Sequence, residues 1–394
     1  MRFMRDGLMQ TLLIMSGVAL GVAVIVFMSA LLTGLQSNLF RRTLNYQAQI
    51  VIIPPEEVAR PLRTGVAEAA IVQPRSQRLH SVDQWQKVRE VVERMPGVVA
   101  VTPVVSGPGF AARGDANKSV SITGIEPETY LRIIALRDKI VAGRMSVTNS
   151  EIVIGIELAS DLGVKVGDKL NLSTASGAVQ TLTISGLFDF GNKGINSRNV
   201  YVALRVAQSM LDLPGGVTSI ELNVRDPFQA EIAAQEITAQ THLEADSWIR
   251  TNAQFFTAMS AQTLSNTFIR FFVGLTAALG IASVLVVSVV QKSKEIGILR
   301  AMGTTRQQIL RLFLIQGGVM GLVGSLFGSA LGGLFLNFWR GVAKNPDGTQ
   351  MFVITVDPML FVIAAVGATG IGVLAAVAPA RRAARLDPAV AIRG

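Results

Sequence analysis

The chain has 394 residues, 50% hydrophobic and 16% charged, with a formal net charge of +9. Soluble globular chains carry about 25% charged residues, and an apolar content this high excludes a disordered chain. There is no cysteine, and His80 and His242 are the only histidines, which excludes disulfide frameworks, thiolate metal sites and cysteine nucleophiles and disfavours a histidine-based metal site.

Four stretches lack any ionisable side chain: residues 7–40, 271–291, 312–339 and 358–380. Each reaches the roughly 20 apolar residues that a bilayer-crossing helix needs; buried helices of soluble proteins average about 12. The first stretch, behind Arg2 and Arg5, has the flank of a cleaved signal peptide but exceeds the usual apolar length of about 7–15 residues. The fold class expected is an α-helical membrane protein with four transmembrane helices and a large mixed α/β extracytoplasmic domain inserted between helices 1 and 2.

Basic residues orient the spans. Arg2 and Arg5 precede span 1, and Lys292, Lys294, Arg300, Arg306 and Arg311 oppose Glu295 alone between spans 2 and 3. Arg381, Arg382, Arg385 and Arg393 oppose Asp387 in the tail, whereas Arg340 and Lys344 are balanced by Asp347 and Asp357. Both termini and the 292–311 loop are therefore expected in the cytoplasm. Residues 41–269 hold 22 basic and 22 acidic side chains, so the positive charge of the chain is a topology signal. A nucleic-acid footprint would need a basic face on a folded domain.

The expected organisation is residues 1–40 as N-terminus and span 1; 41–251 as the extracytoplasmic α/β domain with a β-rich insertion; and 252–291 as stalk and span 2. Then come 292–311 as a cytoplasmic coupling loop; 312–339 as span 3; 340–357 as an outer loop; 358–380 as span 4; and 381–394 as a cytoplasmic tail. Within the outer domain, residues 49–53 read as a strand stopped by Pro54-Pro55, 56–80 as a loop, and 82–95 as a helix stopped by Pro96-Gly97. Strands are expected at 98–105, 118–124, 151–155, 199–204 and 218–224, and helices at 156–162 and 228–241. A hairpin is expected around Ser176-Gly177 from 169–174 to 179–187. The order suggests a βαβ-type piece, roughly 41–100 plus 215–250, enclosing the β-rich insertion. No helix breaker occurs between Asn252 and Gln291, so one helix is expected there, projecting about 25 Å beyond the bilayer at about 1.5 Å per residue. A separate surface helix broken near Arg270 is the alternative.

The loop between spans 2 and 3 carries the densest signal. Ser293 can cap a short helix, Glu295 suits its first turn, and Gly303 can end it in the left-handed conformation. Thr304 with Gln307 reads as a capping box opening the next helix. Ile296, Ile298, Leu299 and Met302 leave so much apolar surface around this helix that burial against another protein is expected, with a helix lying in the lipid headgroups as the alternative.

The segment Lys294-Glu-Ile-Gly-Ile-Leu-Arg-Ala-Met-Gly-Thr-Thr-Arg-Gln-Gln-Ile309 resembles the E-I-G-x-L-R-A-x-G signature of MacB/FtsX-type ABC permeases. Pro379-Ala-Arg-Arg-Ala-Ala-Arg-Leu-Asp-Pro-Ala-Val-Ala-Ile-Arg393 resembles the ending of that family, and Gly17-Val-Ala-Leu-Gly-Val-Ala23 its first span. The resemblance implies that the short cytoplasmic helix docks in a groove of a partner ATPase. That role falls on Glu295, Ile296, Gly297, Ile298, Leu299, Arg300, Ala301, Met302 and Gly303, with helix packing and capping as the plainer reading of Gly297 and Gly303, and topology anchoring that of Arg381, Arg382 and Arg385. Residues 151–168 and 184–190 resemble the periplasmic core of MacB-type exporters and lipoprotein-releasing permeases, with a closer likeness to the latter that includes Val206-Ala-Gln208 and a departure from it in the 192–198 loop, which lacks an acidic-aromatic step.

No G-x-x-x-x-G-K-[ST] motif occurs, so phosphates are not cradled by a P-loop here; ATP and magnesium are expected in a separate ABC ATPase subunit and no cofactor in this chain. Spans without ionisable residues disfavour an ion-coupled carrier. The glycine pairs Gly17/Gly21 and Gly317/Gly321 and the row Gly324/Gly328/Gly332 suit close helix packing and a dimer. The expectation is a non-enzymatic permease subunit in the bacterial inner membrane, paired with a second copy or paralogue. ATP-driven movement of its periplasmic domain would export or extract a lipoprotein or small amphiphile, with room for a periplasmic adaptor or carrier. The alternative is a non-transporting FtsX-like regulator of a cell-wall hydrolase.

Overall fold

The structure, a computed structural model, describes residues 2–55, 81–343 and 357–386. The expected 56–80 loop with His80, the charges Lys344, Asp347, Asp387 and Arg393, and the side chains of Arg2 and Arg5 lie outside that description.

In chain order, the elements begin with α1 (Arg2–Tyr46), β1 (Ile50–Ile53), α2 (Trp85–Glu93), β2 (Val98–Arg113), β3 (Ala116–Ile125), α3 (Pro127–Tyr130), β4 (Ile140–Gly143) and β5 (Glu151–Gly155). They continue with α4 (Ile156–Leu162), β6 (Lys169–Ser173), β7 (Val179–Phe188), α5 (Lys193–Arg198), β8 (Asn199–Ala203), α6 (Leu204–Met210), β9 (Ser219–Val224), α7 (Ala230–Thr241), β10 (Glu244–Ser247) and α8 (Trp248–Thr251). The last four are α9 (Ala253–Gln291), α10 (Ser293–Ala301), α11 (Arg306–Val342) and α12 (Pro358–Ala384). Two compact units result, one of residues 41–256 and one of residues 1–40 with 257–394.

The 41–256 unit is built on one ten-stranded mixed sheet. β1, β9, β10 and the first half of β2 lie in the order β10-β1-β9-β2, all antiparallel neighbours. α2 links β1 to β2, and α7 links β9 to β10, each crossing over one intervening strand. This is a pair of split βαβ units. β2 then runs on for 16 residues. Its second half pairs with β3 and, through Phe110–Ala112, with β6. Because β6 also pairs with β7, the strands β2, β3, β8, β5, β7 and β6 close on themselves. The β-rich part is continuous with the βαβ piece through β2, which belongs to both.

Short elements account for what the sequence does not reveal. α3, α5 and α6 have four to seven residues, too few for a 3.6-residue period to repeat. Their positions are nonetheless tightly specified. A Cβ on Gly155 would strike the Asn196 backbone, so α5 lies directly on the β5–α4 junction. Asn192 caps α5 by accepting from the Gly194 and Ile195 amides. Buried Asn196 accepts from the Phe190 amide at 3.1 Å and donates to Asp189 at 2.7 Å. The 192–198 segment is thus a pinned helix.

One sheet face packs Ala48, Ala100, Val104, Ile125, Tyr130, Ile133, Ile134, Leu136, Val153, Phe188 and Tyr201 into a core. Glu221 stands on β9 between Val51 and Thr102. Loss of water around its carboxyl pushes its pKa from 4.5 up to about 7. Burial also raises both phenols, with Tyr201 at about 12. Among the described residues, no group of three or more His, Cys, Asp or Glu could hold a metal.

The second unit contains helices long and apolar enough to cross a membrane, at Ile14–Tyr46, Ala253–Gln291, Arg306–Val342 and Pro358–Ala384. α9 runs its 39 residues without a break at Arg270; that guanidinium instead donates to Ser29 Oγ of α1 at 2.7 Å. The glycine rows are consumed within the chain. A Cβ on Gly317 would meet the Gly372 carbonyl oxygen at 2.5 Å, and one on Gly321 the Ala368 carbonyl oxygen. Gly324, Gly328 and Gly332 instead face Val18, Ala19, Val22, Ala23 and Val26 of α1, and Gly21 faces Val273. Only Gly17 of these has no neighbour within 4 Å. Apart from Gly17, these small residues pack helices against one another within one chain.

Candidate functional site

α10 is nine residues long and is delimited by chemistry at both ends. Lys292 interrupts the helix after α9, though its amide still bonds Ser288 at 3.0 Å and its carbonyl accepts from Ile296 at 2.9 Å. Ser293 is the first helical residue and makes no cap; Lys292 occupies that position without a side-chain bond. At the other end Gly303 takes φ +102°. The Thr304 amide returns to the Leu299 carbonyl and the Gly303 amide to that of Arg300, both at 3.1 Å. This is the paired closure of a Schellman turn. The capping box of α11 sits one residue later than the sequence suggests: Thr305 with Gln308, replacing Thr304 with Gln307. Both pairs fit T-x-x-Q, and the Schellman turn, which uses the Thr304 amide, decides between them.

The two faces of α10 differ. Ile296 and Gly297 are buried, and Ile296 belongs to the core formed with Val289, Ile309, Phe313, Ala380, Ala383 and Ala384. Arg300 is turned to the same side and half-buried; its Nη1 donates to the carbonyl oxygens of Ala384 at 3.2 Å and Leu386 at 2.5 Å. On the opposite side Ile298, Leu299 and Met302 are 50%, 41% and 72% exposed. Glu295, Ala301 and Gly303 are exposed with them. Positions 295, 298, 299 and 302 follow the i, i+3, i+4, i+7 spacing of one helix face. The nine candidates thus divide: Ile296, Gly297 and Arg300 hold α10 to its own bundle, and Glu295, Ile298, Leu299 and Met302 present an apolar stripe with one carboxylate. Arg381, Arg382 and Arg385, at the end of α12, are exposed.

Comparison with known proteins bears on this arrangement. The family described as MacB-like periplasmic core domain matches residues 11–240, and that described as FtsX-like permease C-terminal matches residues 267–388, with α10 inside the second. The chain belongs to the MacB/FtsX-type family of ABC transporter permeases. It is 25% identical over 419 residues to the lipoprotein-releasing system transmembrane protein LolC of Neisseria meningitidis serogroup B, covering 99% of this chain and 95% of that one. It is 26% identical over 404 residues to the macrolide export ATP-binding/permease protein MacB of Bartonella quintana, covering 98% of this chain and 57% of that one. The crystal structure of the periplasmic region of MacB from Actinobacillus actinomycetemcomitans aligns with 57% of this chain and 95% of its own, at 11% identity and a TM-score of 0.35.

Proposed function

We propose that this permease is the membrane subunit of an ATP-driven machine whose motor is a separate ABC ATPase, and that α10 is the element the ATPase grips. The observation carrying this reading is the exposed stripe of Glu295, Ile298, Leu299 and Met302 on a helix whose other face is locked by Ile296 and Gly297. Exposed Lys292, Lys294 and Arg306 flank the stripe, as they would on a helix in the headgroup layer, so the docking reading stands on the apolar stripe itself. A rigid short helix with an apolar stripe is suited to a groove in a protein partner. In this reading the motor is a separate subunit; these 394 residues themselves carry no P-loop. The near full-length match to a lipoprotein-releasing transmembrane protein supports the same division.

In this reading both termini and α10 face the cytoplasm and the 41–256 unit faces the periplasm. Two permease copies or paralogues work together, and the unbroken helix α9 carries motor movement outward. The substrate is a lipid-modified protein, as the names of the LolC and LolE relatives support; a small amphiphile is the other class, supported by the macrolide-export relatives. The hydrolase-regulator alternative is not favoured, since those relatives are named for release or export.

The test is co-purification of the ATPase with Ile298→Asp, Leu299→Asp and Met302→Asp. Each should lose the ATPase while the permease remains folded and in the membrane. Capture equal to wild type in all three would overturn the docking assignment. Gly297→Asp does not serve, because Gly297 faces the bundle.

A further inference from the structure

We infer that Arg300 is a positioning residue that clamps α10 onto the end of α12, so that α10, α11 and α12 move as one lever. This rests on the docking reading above and goes beyond it, because it assigns to Arg300 an intramolecular role in place of a contact with the motor.

Three observations meet here. First, the only covalent links of α10 are two short turns, at Lys292 and at Gly303-Thr304, and Gly303 holds φ +102°. A helix so attached can swivel about its glycine unless something holds it. Second, Nη1 of Arg300 reaches the carbonyl oxygens of Ala384 and Leu386. Ala384 is the last residue of α12 and Leu386 lies just past it; the last carbonyls of a helix have no partner inside it and carry its negative partial charge, so a guanidinium at Ala384 makes a charge-assisted bond. Nε of the same side chain is buried without a hydrogen-bond partner. With Nη1 on two carbonyl oxygens and Nε turned away from solvent, the half-buried side chain is directed at the end of α12. Third, α12 is fused to α11 where Gly317 and Gly372 bring backbone against backbone, so a force delivered at the end of α12 is shared by the hairpin. With Arg300 in place, motion imposed on the outer stripe reaches the hairpin through its α12 end as well as through Gly303.

The absence of cysteine allows a direct test in the full chain. Spin labels at Lys294→Cys and Arg382→Cys, both exposed positions, should report one narrow distance. Arg300→Gln should broaden and lengthen it, and Arg300→Lys, which keeps the charge but not the fork, should give an intermediate result and serves if the glutamine variant does not fold. A second pair, Leu279→Cys on α9 and Val366→Cys on α12, should shift when the captured ATPase binds a non-hydrolysable ATP analogue. In Arg300→Gln that shift should be lost while ATPase capture stays at the wild-type level. An unchanged narrow distance, or a retained nucleotide shift, would overturn the clamp. Failure of the wild-type chain to capture any ATPase would overturn the docking reading instead, and the first label pair would still decide the clamp.

Discussion

Gly317 and Gly372 touch through their backbones: a methyl group on Gly317 would lie 2.5 Å from the carbonyl oxygen of Gly372, and one on Gly372 would strike that of Gly317. Neither helix can accept a side chain there without moving apart from the other. Gly317→Leu should therefore destabilise the bundle by about 3 kcal/mol, at the upper end for overpacking, read as a lowered thermal midpoint in detergent. Gly17→Ala, where nothing lies within 4 Å, should leave the stability unchanged or raise it by up to about 1 kcal/mol through helix propensity, with no drop in the midpoint.

Thr305 begins α11 with a reciprocal pair, its hydroxyl accepting from the Gln308 amide and the Gln308 side chain accepting from its own amide. Thr305→Ala should cost about 1 kcal/mol of stability. Thr304→Ala should cost far less, because only the Thr304 backbone is used. Hydrogen exchange of the first α11 amides distinguishes the two.

Glu221 confers a pH dependence with a defined sign. Its folded pKa of about 7 stands above the ordinary 4.5, so between those values the folded protein keeps a proton that the unfolded chain has lost. Stability should fall as pH rises from about 4.5 to about 7 and level off above. Glu221→Gln should flatten this contribution and stabilise the unit at pH about 8, where wild type folds a partly desolvated carboxylate. The urea midpoint followed by tryptophan fluorescence reports it, since Trp85 and Trp248, two of the three tryptophans, lie in the 41–256 unit.

Gly155 and Asn196 form a second backbone contact, in the periplasmic-core motif. Gly155→Ala should displace α5 and break the Asn196 bonds to Asp189 and the Phe190 amide. The expected loss is about 2 kcal/mol, in the range for overpacking a tight site. A signal change confined to α5, with unchanged urea midpoint, would show that the contact yields without cost.

α10 shows how far sequence reasoning reached at the candidate site. Its existence, its end at Gly303 and its excess of apolar surface were legible from Glu295, Gly303 and the apolar residues Ile296, Ile298, Leu299 and Met302, because these signals are local; the cap expected of Ser293 is not made. Which of the nine residues face outward was not legible. Ile296 and Ile298 are the same residue type two positions apart, and only the place of α12 decides that the first is buried and the second exposed. Arg300 reads as a surface cation until the carbonyls of Ala384 and Leu386, some 85 residues away along the chain, are brought to it.

The same division holds for the whole molecule. The four apolar helices, the bracketed loop and most strands follow from composition, period and turn residues, each set by neighbours within a few positions. Tertiary structure alone decided that β2 is shared by both halves of the sheet, that the glycine rows join helices of one chain, and that Glu221 lies where its charge is costly. These depend on contacts between segments distant in sequence, and a local pattern of residue types carries no record of which distant backbone will arrive beside it.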